Sequence, residues 1–252
     1  MNRAPQIVVC LLLGLLGTGV QGATPVATPV LEGFDSGPNN WRNAASQLLG
    51  FEATGGPDGS SYVTTTFNLL EAVGGAPGER AAATTLIRTV KLQDPISGEE
   101  TISSDGAFFG SWLGSAGEFR FSVRHNAPEP LYFFARLAVP NRSPAVGVDY
   151  PISVQPNEWT ELVMPVDLTF PHLVAQGGGS PEDILRDVFI EEGVEWIQFG
   201  IYTPTSLAGV DQNYTLDLDN VMLTAVPEPA TLALVGMAGL FWLTRRHQRS
   251  VV

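Results

Sequence analysis

Val194-Glu195-Trp196-Ile197-Gln198-Phe199-Gly200-Ile201-Tyr202 decides the fold class. Ile197, Phe199 and Ile201 fall on one side of an extended chain, with Trp196, Gln198 and Gly200 on the other. Period-two alternation of this kind marks a strand with one face in a core. Outward from it, Phe119, Phe121 and Val123 share a face, and Leu216, Leu218 and Asn220 oppose Asp217, Asp219 and Val221. The same reading predicts strands over Val30–Phe34, Leu48–Ala53, Tyr62–Phe67, Thr85–Leu92, Ala107–Trp112, Glu118–Arg124, Leu131–Val139, Val146–Val154, Trp159–Pro165, Glu195–Tyr202 and Tyr214–Leu223. Gly55-Gly56-Pro57-Asp58-Gly59, Asp94-Pro95, Pro128-Glu129-Pro130 and Gly177-Gly178-Gly179 punctuate them as turns. One helix is expected from Pro181 to Glu192, with Ser180 as N-cap, Pro181 at N1 and an apolar stripe of Ile184, Leu185, Val188 and Phe189. The fold class is therefore all-β: a β-sandwich with one short helix over residues 31–225, preceded by a lead-in segment at 23–30.

Composition agrees. The 252 residues are 44% hydrophobic and 15% charged, with 27 Gly and 19 Pro, so turns are frequent and a core is available. Residues 23–225 hold nine basic and 25 acidic side chains, a charge of −16. Such a body repels nucleic acid and anionic lipid, and no nucleic-acid partner is expected. The single cysteine, Cys10, lies outside this stretch, which leaves the body without a disulfide framework or a thiol nucleophile.

The two ends follow different rules. Residues 1–22 read as a signal peptide: Arg3, an apolar run from Ile7 to Leu16, then Val20 and Gly22 at the −3 and −1 positions of a cut before Ala23. An uncleaved anchor is the other reading of this run. Residues 226–252 open on Val226-Pro227-Glu228-Pro229, continue as an apolar stretch to Leu243, and end on Arg245, Arg246 and Arg249. Residues 230–244 are expected to form a single transmembrane helix about 22 Å long at 1.5 Å per residue, short for a bilayer but helped by snorkelling arginines. The basic cluster stops transfer and keeps the body outside the cytoplasm.

Pro227-Glu228-Pro229, a hydrophobic helix and an arginine cluster, in that order at the chain end, resemble the PEP-CTERM sorting signal of Gram-negative bacteria. The resemblance covers about 25 residues and implies an exosortase as processing partner, with transient anchoring in the inner membrane. Delivery to the cell surface or an exopolysaccharide matrix follows. A plain tail anchor is the alternative. Two prolines hold the motif extended, as a protease requires.

A second resemblance covers much of 31–224. Phe34-Asp35-Ser36, Trp41 and the run from Phe51 to Val63 are similar to the opening of a laminin B domain. Val194–Tyr202 followed by Leu218-Asp219-Asn220-Val221-Met222-Leu223 is similar to its close, a strand shared with galactose-binding-like jelly rolls. It implies a jelly-roll-like β-sandwich with a matrix or glycan-adhesion role and transfers no catalytic residue.

No catalytic set stands out: the body lacks HExxH, GxSxG and phosphate-binding glycine loops. His125 and His172 read as surface or turn residues. Asp217 and Asp219 alternate along a strand, about 7 Å apart at 3.4 Å per residue, without the setting of a glycosidase pair. If first and last strands lie together, Glu32 and Asp35 join Asp217 and Asp219, and a structural calcium is the cofactor this suggests. Solvated strand-end acids are the other reading. Trp41, Trp112, Tyr62, Tyr132 and Trp159 are candidates for stacking on sugar rings. The expected function is a non-enzymatic, exported glycan-binding or adhesion module associated with exopolysaccharide. The alternatives are a secreted glycan hydrolase on the same fold and a purely structural coat component.

Overall fold

The computed structural model describes residues 22–93 and 97–226. The expected signal peptide up to residue 21, the Asp94-Pro95 turn, Pro227, Glu228, Pro229, the 230–244 helix and Arg245, Arg246 and Arg249 lie outside them. Among the described residues no helix is long and apolar enough to cross a membrane.

Fourteen strands occur in chain order: β1 (Val30–Glu32), β2 (Arg42–Asn43), β3 (Gly50–Glu52), β4 (Tyr62–Asn68), β5 (Ala83–Arg88), β6 (Lys91–Gln93), β7 (Glu100–Ile102), β8 (Ala116–His125), β9 (Leu131–Ala138), β10 (Ala145–Val154), β11 (Thr160–Pro165), β12 (Leu173–Gln176), β13 (Trp196–Tyr202) and β14 (Asn213–Ala225). Sheet I runs β11-β8-β14-β4-β3, with β1 also on β14; sheet II runs β12-β10-β9-β13-β5-β2; β6 and β7 form a separate ribbon. All named pairs within sheets I and II are antiparallel. The architecture is a jelly-roll-like β-sandwich, and the first strand does lie on the last.

The core is where the alternating apolar faces meet. From sheet I come Phe119, Phe121, Leu162, Leu216 and Leu218; from sheet II come Phe133, Leu137, Val148, Ile197, Phe199 and Ile201, all nearly inaccessible. Phe199 is the hub: its ring lies 4.2 Å from Phe121, 5.8 Å from Trp41 in a parallel stack and 6.0 Å from Phe119. Aromatic pairs at such separations contribute about 0.5–1.5 kcal/mol each beyond simple burial.

Sequence and structure part company at four places. Ala107–Trp112 is not a strand. Gly110 adopts φ +134 and makes only an isolated bridge to Val194, while the Trp112 indole curls back to donate to the Phe108 carbonyl at 2.8 Å. A side chain at Gly110 would meet the Thr24 carbonyl at 2.3 Å, so a glycine lets the lead-in backbone dock there. The lead-in is correspondingly tied down, with Val26 buried and bonded to Ser111. The predicted strand over Thr85–Leu92 divides into β5 and β6, because Thr89 and Val90 turn off to bond Ile197 and Ser103. The alternation in β14 slips at Asn220, which has φ +50 and sits at a bulge against β8, so that Val221 and Leu223 join Leu216 and Leu218 in the core. Finally, β2, β7 and β12, two to four residues each, lack the length to show a period.

The helix starts as expected: Ser180 accepts from the Asp183 N–H at 3.2 Å, and α1 spans Pro181–Arg186. Its continuation, Asp187–Glu191, widens into a single π-type turn that buries Val188 and Phe189, before Gly193 ends it at φ +78.

Candidate functional site

The structure gives Glu32, Asp217 and Asp219, three of the four acids expected around one cation, their own protein donors, and places the fourth, Asp35, where its charge acts on Asp219. Glu32 is buried at the end of β1, where it accepts from the Phe34 N–H at 2.8 Å, the Asn39 amide at 2.9 and 3.0 Å, and the Ser104 hydroxyl at 2.6 Å. It pins the loop that brings Trp41 into the core. Asp217 accepts from Thr64 at 2.7 Å and is held by Arg124 at 2.8 Å. Asp219, fully buried, accepts from the Ser60 hydroxyl and the Asn220 N–H, both at 2.7 Å. Burial raises its pKa above the usual carboxylate value, the two hydrogen bonds oppose this, and the nearby charges of Asp35 and Asp58 add to the rise. Gly56 allows the covering loop to lie on this carboxylate, since a side chain there would meet Asp219 Oδ2 at 2.7 Å. Glu32 and Asp217 have their oxygens engaged by donors. Among the described residues no group of three or more His, Cys, Asp or Glu side chains is placed to hold a metal ion.

Two further expectations are corrected. His125 is core, not surface: it is 1% exposed, its Nε2 lies 3.0 Å from the Val154 carbonyl, and its ring packs on Phe133. Burial lowers its pKa. Trp41 and Trp112 are fully buried, so neither can stack on a ligand.

Tyr62, Tyr132 and Trp159 remain, all half-buried, and the structure brings Tyr62 and Trp159 together while Tyr132 lies on β9 in sheet II. The Tyr62 and Trp159 rings meet edge to face at 5.5 Å, and Tyr62 lines a groove of about 660 Å³ on the outer face of sheet I. The floor is a cross-strand row: Gly50 on β3 opposes Thr64 on β4, which opposes Asp217 on β14, which opposes Arg124 on β8. Outward alternation along β4 and β14 adds Thr66 and Thr215; Asn126, Asn157 and Gln47 add amides, and Glu52 on β3 adds a carboxylate to the lining. The Arg124 guanidinium lies against both rings, 5.1 Å from the Tyr62 ring centre and 4.7 Å from that of Trp159, while bonded to Asp217. Its charge is therefore spent within the protein. Gly50 sets the depth, because a side chain there would meet the Thr64 methyl at 2.9 Å. Asn126 uses its carbonyl oxygen for the Thr215 N–H at 2.7 Å, which leaves its amide N–H groups for the groove.

The groove occupies one end of β14; the other end leads out of the sandwich at Ala225, where the proline motif begins. Residues 225–249 carry the PEP-CTERM protein-sorting motif. With that motif, the chain is an exported protein that passes through a membrane-anchored stage. No curated protein matches the sequence.

Among solved structures, the chain is similar to the CBM22-1–GH10 modules of Clostridium thermocellum xylanase 10B, complexed with xylohexaose: 14% identity, TM-score 0.42, 79% of this chain and 28% of that one. It thus spans little more than a quarter of that enzyme construction. It is also similar to the L4b domain of human laminin alpha-2 (10% identity, TM-score 0.43, 79% of this chain and 98% of that one). A third is the family 11 carbohydrate-binding module of Clostridium thermocellum Lic26A-Cel5E (12% identity, TM-score 0.40, 81% and 98%).

Proposed function

We propose that this chain is a non-enzymatic surface protein whose sandwich binds a neutral polysaccharide in the sheet I groove. The observation that carries the reading is the groove itself: an aromatic edge at Tyr62, backed by Trp159, a lining mostly of hydroxyls and amides with the Glu52 carboxylate, and a cation already neutralised by Asp217. Sugar hydroxyls pair with such hydroxyls and amides, and pyranose faces stack on aromatic rings. A charged ligand gains nothing from Arg124 there. A glycosidase needs two carboxyl groups free to act, and of the two that line the groove, Glu52 and Asp217, the second is tied to a guanidinium at 2.8 Å. A secreted hydrolase is the reading this disfavours.

Export supplies the setting. In this reading residues 1–22 are removed as a signal peptide, the 230–244 helix holds the chain in the inner membrane, and an exosortase processes it at Pro227-Glu228-Pro229 before release into an exopolysaccharide-rich envelope.

The test is affinity electrophoresis of the purified chain through gels carrying neutral polysaccharides of different linkage. At least one should retard the wild type, and Gly50→Val, which fills the floor of the groove, should abolish that retardation. Retardation unaffected by Gly50→Val, or catalytic loss of the polymer, would refute the proposal.

A further inference from the structure

The outer face of sheet II holds an arrangement the groove does not use. Arg42 on β2 opposes Arg88 on β5, Arg88 opposes Gln198 on β13, and Gln198 opposes Arg136 on β9. These residues alternate with the core residues Ile87, Ile197, Phe199 and Leu137, so the row stands on the outward side. Arg142 joins it from the turn after β9. Asn141 and Arg142 adopt φ +66 and +68, a left-handed pair unusual outside glycine, and this backbone carries the guanidinium to 4.1 Å above the Trp196 ring. Arg88 approaches the same ring at 5.9 Å. Trp196 is 7% exposed and rests on Ala138 and Ala145; its indole N–H has no partner.

The charge pattern is the telling feature. Five of the nine basic side chains in the body have a carboxylate at ion-pair distance: Arg80, Lys91, Arg120, Arg124 and Arg186. Among the described residues Arg42, Arg88, Arg136 and Arg142 have none, although the body carries 25 acids. All four are on this face. Glu195, which lines a cavity with Arg142, is already paired with Lys91, and Asp149 with Arg80. Burial, then repulsion from Arg142, lowers the pKa of both Arg88 and Arg136, with Arg42 adding to the effect on Arg88. Four unneutralised cations are held together in an acidic protein, at a cost that a bound anion would offset.

We propose that this arginine row is a second binding site, which takes an extended acidic polysaccharide bearing carboxylate or sulfate groups at intervals along the chain. The length of the row favours an extended ligand over a compact anion. Neighbouring strands lie about 4.8 Å apart, so Arg42 and Arg136, three steps apart, are separated by about 14 Å. One carboxylate spans a single guanidinium; a polymer meets the row in succession. Gln198, set between Arg88 and Arg136, offers an amide for hydroxyls between the charges. Cavities of about 430 and 260 Å³ flank the row, one beside Arg136 and Phe134 and the other beside Arg142 and Trp196. A duplex nucleic acid is broader and more rigid. It would bring its phosphates within the roughly 8–10 Å screening length of the acidic flanks, where a single polysaccharide strand can keep to the strip. This site is independent of the sheet I groove.

The experiment is affinity electrophoresis of the full-length protein in gels containing polygalacturonate, its fully methyl-esterified form, or duplex DNA. Polygalacturonate should retard the wild type, and the ester, which keeps the backbone and loses the charge, should not. Arg88→Gln with Arg142→Gln should weaken the retardation about tenfold, the effect expected of losing two partly buried charge-assisted contacts. Lysine at both positions should keep most of it, and Arg186→Gln, on the distant helix, should change nothing. The proposal is overturned if the ester retards equally, if lysine fails as badly as glutamine, or if duplex DNA binds as strongly as polygalacturonate.

Discussion

Arg124→Met tests the electrostatic reading of the groove. The substitution removes an ion pair whose side chains are 25% and 10% exposed, and leaves the Asp217 carboxylate with Thr64 as its one remaining donor. Breaking a buried pair costs about 3–5 kcal/mol; partial exposure of Arg124 brings the expectation to about 2 kcal/mol. Two cation–π contacts add about 0.5–1 kcal/mol each. The sum is about 3–4 kcal/mol, or a fall in Tm of roughly 6–15 °C for a domain of this size. Asp217→Asn keeps the Thr64 bond and costs about 1–2 kcal/mol, since Arg124 retains some contact with water. The double variant removes both charges and should cost no more than Arg124→Met alone, a coupling of about 1–3 kcal/mol in the cycle. Thermal and urea melts of the four proteins measure it. Additive losses within about 0.5 kcal/mol would mean that the two groups are not a pair, and would return Arg124 to a charged ligand.

Other consequences follow from the same structure. Asp219 has a folded pKa above its unfolded one, so its contribution to stability is complete below the unfolded carboxylate pKa and is lost as pH rises through the folded value. Asp219→Asn in chelator should therefore melt above the wild type at pH 7, with the gap closing by pH 3; no gap at pH 7 would contradict the assignment. His125 is opposite in sign: burial lowers its pKa and its Nδ1 has no partner, so stability present above about pH 6.5 falls on acidification, by up to about 1.4 kcal/mol per pH unit. His125→Gln, which can still donate to Val154, should flatten that limb of a pH series of urea melts. Phe199→Ala should cost about 3–5 kcal/mol as the hub of the aromatic core, and a loss below about 1 kcal/mol would show that the two sheets are held elsewhere. Ala-Ala-Ala in place of Pro227-Glu228-Pro229 should leave the protein unprocessed in the membrane fraction; normal surface release would show the motif to be dispensable.

The sandwich was legible in the sequence because its long strands carry a clean period of two. Ile197, Phe199 and Ile201 point inward as their spacing requires, and β1 lies on β14 as the first and last strands of such folds do. What escaped was local geometry. Asn220 gives no advance notice of a bulge, yet it moves Val221 to the other face. Gly110 reads as a strand residue until its φ and the docked Thr24 carbonyl are known. The acids mark the limit of pattern reading. Asp217 and Asp219 share a face, but partners from other strands decide their roles: Arg124 neutralises one, and the loop carrying Ser60 buries the other. Tyr62 and Trp159 were among five aromatic candidates, and only the pairing of β4, β14, β8 and β11 shows that these two meet at a groove. The arginine row could not be seen at all. Its members lie at positions 42, 88, 136 and 142, and only strand register sets the first three side by side, with the turn at Asn141 adding the fourth.

Hydrogen–deuterium exchange with and without the neutral polysaccharide that retards the protein most is the most direct test of the central claim. Bound polymer should slow exchange at Gly50–Glu52, Tyr62–Asn68 and the 157–160 turn beside Trp159, and leave the β9, β10 and β12 amides unchanged. Protection confined to sheet II, or none on sheet I, would contradict the assignment of the groove.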